Sequence, residues 1–195
     1  KIKNLEIKKI RNRLKFNNDD IIIFNSGKIK KDKKILDLIK LLEFLLRYNK
    51  KFKLLLVGEA TGEYSLRLKK KVISLNSRFK NVINWIGFQK INTLRDLMCI
   101  SDIAIWPGIP SISIQEAVYC NNILFLPKTS ASYHLVNEET LTFYNKNIFR
   151  TSQNLLNIFK RRDLKKNILA KNIAKLNKFN WISISKKFLN IYENN

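Results

Sequence analysis

The sequence predicts an α/β fold, a doubly wound parallel sheet of about six strands with helices on both faces. Three observations carry that prediction. Apolar runs at 21–24 (IIIF), 54–57 (LLLV), 82–86 (VINWI), 103–106 (IAIW) and 123–126 (ILFL) are short and continuous rather than alternating, as in strands buried on both faces. The stretches between them repeat apolar residues at helical spacing. The connections are brief and marked by Gly, Asn, Asp or Pro, so strands and helices alternate as in units whose crossovers make the strands parallel.

Taken in order, residues 1–20 are polar and basic, with a helical LEIKKIRNRL pattern ending at Asn17-Asn18-Asp19-Asp20. They read as a lead-in helix and turn, the tail of a hinge. The chain opens on Lys1 rather than Met, which reads as a fragment or a processed chain. After the first strand, Asn25-Ser26-Gly27 turns the chain and Lys28 and Lys33 follow. The helix expected at 35–48 has a wide apolar face that includes Leu36, Ile39, Leu42 and Leu46. The second strand closes on Gly58 and a polar loop, and a lysine-rich helix is expected at 64–75. The third strand ends at Gly87, and Asn92-Thr93 caps a helix running to about 100. Beyond the fifth strand, a sixth is expected at 141–144, then helices at 153–159, 164–176 and 181–192.

Composition narrows the function classes. At 195 residues and 45% hydrophobic, the chain can bury one good core. No apolar run approaches the ~18–20 residues that span a bilayer. Cys99 and Cys120 lie in apolar helical patterns, too few for a disulfide framework or a zinc site, and fit a reducing, cytoplasmic setting. The net charge is +23. Only nine of the 38 basic residues are Arg and the lysines are spread along the chain, which argues against nucleic acid. Weak attraction to an anionic membrane surface and a general lean toward Lys remain as readings of that charge.

The stretch 106–126, WPGIPSISIQEAVYCNNILFL, organises the rest. A strand enters a Pro-broken turn, a helix opens within Ser111-Ile112-Ser113, Glu116-Ala117 follows, and Asn121-Asn122 stops the helix before the next strand. Loop and helix N-terminus belong at the carboxyl end of a parallel sheet, where free N–H groups and the helix dipole favour phosphate. A carboxylate just inside such a helix suits sugar hydroxyls. No GxGxxG, GxxxxGK[ST] or GxSxG pattern occurs, so dinucleotide, P-loop and hydrolase readings lose their main support. His134 has no ligand or catalytic partner at suitable spacing.

The order of the strand-end features resembles the nucleotide-binding C-terminal half of retaining GT-B glycosyltransferases, the glycosyl transferases group 1 type. The resemblance rests on GKIKKDK at 27–33, LLLVGEA at 54–60, VINWIGF at 82–88, RDLMCISDIAIWP at 95–107, EAVYCNNILFL at 116–126 and FNWISISKKFLNIYE at 179–193. It implies a Rossmann-like domain at 21–195 behind a lead-in segment at 1–20, with the acceptor domain absent. It implies that Lys28 and Lys33 act on the donor diphosphate as the catalytic cations. Gly27, Ser111 and Ile112 would cradle phosphate, Trp85, Gly87 and Phe88 would lie along the base, and Glu116 would take the ribose hydroxyls. The implied ligand is a UDP- or GDP-linked nucleotide sugar, with no cofactor and no metal, and a glycan or lipid-linked acceptor in surface polysaccharide, capsule or lipopolysaccharide assembly in bacteria.

The chain departs from the family pattern at three places. A second Glu common in the family falls at Gly108, the Gly after the helix is Asn121, and Ser130-Ala131-Ser132 with His134 stands where Gly-Gly and a Glu are usual. Other readings stay open: an epimerase of the same fold, or a basic α/β module that no longer uses the crevice. Lys28 and Lys33 also read as surface lysines, and Glu116 as an ordinary early-helix carboxylate.

Overall fold

The computed structural model describes residues 4–109, 113–129, 141, 143, 147–177, 185, 189 and 190. Five strands, β1 (Ile21–Ser26), β2 (Phe52–Val57), β3 (Ile83–Ile86), β4 (Ile103–Ile105) and β5 (Ile123–Phe125), form one sheet in the order β3-β2-β1-β4-β5. Every pairing is parallel, with Ile23 of β1 opposite Leu54 of β2 and Ile103 of β4. The continuous apolar runs explain the burial. Ile22, Ile23, Phe24, Leu54, Leu55, Leu56, Ile103, Ala104 and Ile105 are fully enclosed, as strands covered on both faces must be.

The helices are α1 (Asn4–Arg13), α2 (Ile35–Tyr48), α3 (Gly62–Phe79), α4 (Ile91–Cys99), α5 (Ile114–Tyr119), α6 (Ile148–Lys160) and α7 (Arg162–Asn177), with a 3-10 turn at Lys31–Lys33. Right-handed crossovers put α2 and α3 on one face and α4 and α5 on the other. α6 packs on α2, while α1 packs on α4 and α7 on α5. Asn121, at φ 63°, ends α5 in the left-handed conformation, and the Asn122 and Asn121 amides return to the Ala117 and Val118 carbonyls at 3.0 and 2.9 Å. That is a Schellman stop with Asn in the usual glycine place.

The expected sixth strand is corrected. Of 141–144, only Leu141 and Phe143 are described, and both hydrogen-bond to the one residue Leu126, whose amide donates to Leu141 O and whose carbonyl accepts from Phe143 N. Among the described residues these two bonds extend the sheet edge by one bridge, and the sheet has five strands. The helix expected at 181–192 lies outside the described residues except for 185, 189 and 190.

Arg11 of α1 is buried and anchors the lead-in helix. Its guanidinium donates to Ile100 O at 2.8 and 3.0 Å, to Asp20 O at 3.2 Å and to the Asp102 carboxylate at 3.1 Å. Asp102 also accepts from the Ile22 amide at 3.1 Å, which joins the starts of β1 and β4.

Candidate functional site

Chain direction makes the site. From β1 the sheet is built outward through β2 to β3, then resumed on the far side of β1 with β4 and β5. A crevice opens beside this switch point, at the carboxyl ends of the strands. The crevice has a volume of about 540 Å³. Ser26, Gly27 and Lys28 line it from the β1 end and Gly58, Glu59 and Thr61 from the β2 end. Phe88 and Gln89 line it from beyond β3, with Leu94 of α4 and Ser113 before α5.

Two glycines bring its floor together. Gly27 and Gly58 have φ of 128° and 136°, conformations that side chains disfavour. A Cβ on Gly58 would stand 2.0 Å from the Gly27 carbonyl oxygen. The Gly27 amide donates to Val57 O at 3.0 Å, the Gly58 amide to Ile86 O at 2.9 Å and the Ile29 amide to Glu59 O at 2.9 Å. The two strand-end loops are therefore in backbone contact. Buried polar groups lock the other side. The Asn25 amide donates to Ile105 O at 2.6 Å, the Trp106 indole to Ser26 O at 2.9 Å, and the Ser26 and Ser113 hydroxyls meet at 3.1 Å.

The residues expected at the site are distributed as follows. Gly27, Lys28 and Phe88 line the crevice; Phe88 is 75% exposed, an aromatic face held open to solvent. Lys33 stands apart, half-buried, with its ammonium donating to Ile109 O at 3.0 Å on the loop after β4. Trp85 is turned away, its indole N–H donating to Gly58 O at 2.8 Å, where it braces the crevice wall. Gly87 lies nearby, with a Cβ position 3.9 Å from Glu59 Oε1. Glu116 sits on the first turn of α5, and its Oε1 accepts from Arg95 at 3.1 and 3.3 Å. Ser111 and Ile112 lie outside the described residues, as does His134.

The backbone closes the space at Gly108. A Cβ there would lie 2.0 Å from Asp32 O and 2.8 Å from Lys33 Cα, so the loop after β4 lies directly against the 3-10 turn that carries Lys33.

Sequence reasoning missed Glu59, Thr61, Gln89 and Arg95. Thr61 and Gln89 are ordinary polar loop residues in sequence. Arg95 carries no signal until α4 and α5 are seen side by side. The two cysteines also prove to be neighbours, with Cys99 Sγ 2.7 Å from Cys120 Sγ and both thiols free. Burial, then the contact with Cys99, pushes the Cys120 thiol up to about 12.

Chemically, the crevice offers a cation on the rim, an exposed aromatic ring and hydroxyls, beside the Glu59 carboxylate. That set suits an anionic ligand with a flat ring. The model for glycosyl transferases group 1 matches residues 6–171. The chain belongs to that family. No curated protein matches it.

Among solved structures, this glycosyl transferases group 1 chain is similar to Alr3699/HepE of Anabaena in complex with UDP, at TM-score 0.82 and 16% identity over 100% of this chain and 54% of that one. A glycosyltransferase of Rickettsia africae gives TM-score 0.80 at 21% identity, over 99% of this chain and 52% of that one. The catalytic domain of cholesterol-α-glucosyltransferase from Helicobacter pylori gives TM-score 0.66 at 18% identity, over 80% of this chain and 98% of that one. The chain therefore spans about half the length of the first two. Its fold is that of the GT-B glycosyltransferases, in a C-terminal-like half.

Proposed function

We propose that this chain is the donor-binding half of a retaining GT-B glycosyltransferase that passes a sugar from a nucleoside diphosphate sugar to a glycan or lipid-linked acceptor. Surface polysaccharide assembly is the setting that reading favours. The observation that carries it is the crevice at the switch point, floored by the Gly27–Gly58 contact and rimmed by Lys28 and Phe88. Alr3699/HepE, to which the chain is similar, has been solved with UDP and with UDP-glucose, which makes a uridine donor the first one to test.

In this reading Lys28 receives the diphosphate and Phe88 stacks on the base. Lys33 uses one of its three N–H donors on Ile109 and keeps two for phosphate oxygen. Positive charge there stabilises the negative charge that builds on the departing diphosphate, without a metal. Glu116 takes the ribose diol. A carboxylate has about four lone-pair sites, so the Arg95 contact leaves room for two hydroxyls. Retention of configuration and the acceptor class belong to this proposal alone.

The test is calorimetry with UDP, GDP, ADP, TDP and CMP on this chain, with and without EDTA. One diphosphate should bind well and unaffected by EDTA. Lys28→Ala and Glu116→Ala should each weaken it about tenfold or more, the loss of one charge-assisted contact. Binding that the two variants leave unchanged would refute the assignment.

A further inference from the structure

We propose that the outer face of α3 docks the protein on an anionic membrane surface. The inner face of this helix, Ser65, Leu68 and Leu75, is buried against the rest of the domain. The opposite face carries Leu66 and Ile73, which are 60% and 65% exposed. They are seven residues apart and so share one side of the helix, about 10 Å from one another along its axis. Lys69 and Lys70 flank them, and Arg67 and Lys71 follow on the adjoining side. The one acidic residue of α3 is Glu63 in its first turn. Two bare aliphatics framed by four cations form a surface that water solvates poorly and that the boundary between acyl chains and anionic headgroups satisfies at both ends.

The neighbouring surface continues the field. A recess of about 300 Å³ between α2 and α3 is edged by Lys31, Lys34, Arg67 and Lys71. Its two acids are already engaged, Asp37 with Lys40 at 3.5 Å and Glu43 with Arg78 at 2.6 Å. Among the described residues no ion pair neutralises Lys69, Lys70 or Lys71. No helix of the described residues is long and apolar enough to cross a membrane, so α3 would lie along the surface. Nucleic acid fits less well, because a phosphate backbone offers nothing to Leu66 and Ile73. The face lies outside the crevice, so this inference stands whatever the crevice binds.

Sedimentation of the full chain with vesicles of phosphatidylcholine alone, or with about 30% phosphatidylglycerol, at about 0.1 M salt tests it. Binding should need the anionic lipid. Leu66→Ser with Ile73→Ser, which keeps every charge, should weaken partitioning about fivefold or more. Lys69→Glu with Lys70→Glu should weaken it about tenfold or more. Lys8→Glu with Lys9→Glu on α1, an equal change of charge elsewhere, should have less than about a twofold effect. Thermal melts of the three should stay close to the parent's or, for the charge reversals, above it, since every substituted side chain is exposed. An equal loss in the α1 control, or no loss on removing the two aliphatics, would overturn the proposal. Tighter binding to an oligonucleotide, lost with the same α3 lysines, would overturn it in favour of nucleic acid.

Discussion

Gly58 and Gly108 are where single atoms decide the shape of the crevice. At Gly58 the backbone φ of 136° and a missing Cβ 2.0 Å from the Gly27 carbonyl act together. Alanine there must bend a disfavoured backbone and push apart the hydrogen-bonded loops after β1 and β2, so Gly58→Ala should cost about 2 kcal/mol or more. Differential scanning calorimetry should show a fall of about 5 °C or more for a chain of this size, with nucleotide binding lost. Gly108 differs because its obstacle is only the space held by Asp32 O and Lys33 Cα. Restoring the family's acidic residue with Gly108→Glu should therefore lower the melting temperature and weaken diphosphate binding by displacing the Lys33 turn. A gain in donor affinity would show that the loop yields easily and that the carboxylate is merely absent.

At the scale of elements, α4 and α5 are joined twice, by Arg95–Glu116 and by Cys99–Cys120, each pair one helical turn from the other. The first tie is exposed and contributes about 0.5 kcal/mol; its value is that it orients Glu116. The second leaves a pH signature. The Cys120 thiol rises from its ordinary value of 9.0 to about 12, first through burial and then through Cys99. A thiol that holds its proton in the folded state while the unfolded chain releases it supports folding below pH 9. That support is lost as pH climbs from about 9 to about 12. Cys120 should accordingly react with iodoacetamide far more slowly at pH 8–9 than an unhindered thiol, as mass spectrometry of the alkylated peptides would report. Rapid labelling would mean an open α4–α5 seam.

These same elements show what the sequence could and could not convey. Runs such as IIIF and LLLV were legible as buried strands because a parallel sheet covered on both faces permits nothing polar in its middle. The end of β1 was not. Asn25 and Ser26 look like a turn, yet their bonds to Ile105 and Trp106 keep them in the strand, and those partners are about eighty residues away. Likewise α6 begins at Ile148, before the expected 153, because Asn147 caps it by accepting from the Arg150 amide at 3.0 Å. The crevice was readable as a set of strand ends. Its floor was not, because the meeting of Gly27 with Gly58 depends on β1 and β2 lying side by side in register.

For the whole molecule, a net charge of +23 sets the electrostatic balance. The ion pairs at Lys51–Asp19, Lys40–Asp37 and Arg78–Glu43 each have a partner more than half exposed, and salt screens such pairs at little cost. Repulsion among the unpaired lysines acts over longer distances and in the opposite sense, and the compact state concentrates it. Screening should therefore remove more repulsion than attraction. Raising sodium chloride from about 0.05 to 0.5 M, which shortens the screening length from well above 10 Å to about 4 Å, should raise the melting temperature rather than lower it. The buried Arg11 network gives an internal contrast. Arg11→Met takes the side-chain donor from the Ile100 and Asp20 carbonyls and one of the partners from Asp102, which keeps the Ile22 amide and Lys165, a loss of about 3 kcal/mol. Because Arg11 is buried and most of its bonds go to backbone carbonyls, that deficit should be nearly the same at both salt concentrations. A parent protein that melts lower in high salt would mean that surface attraction outweighs repulsion. An Arg11→Met deficit that vanished in salt would mean that the lead-in helix is held by long-range charge and not by its local hydrogen bonds.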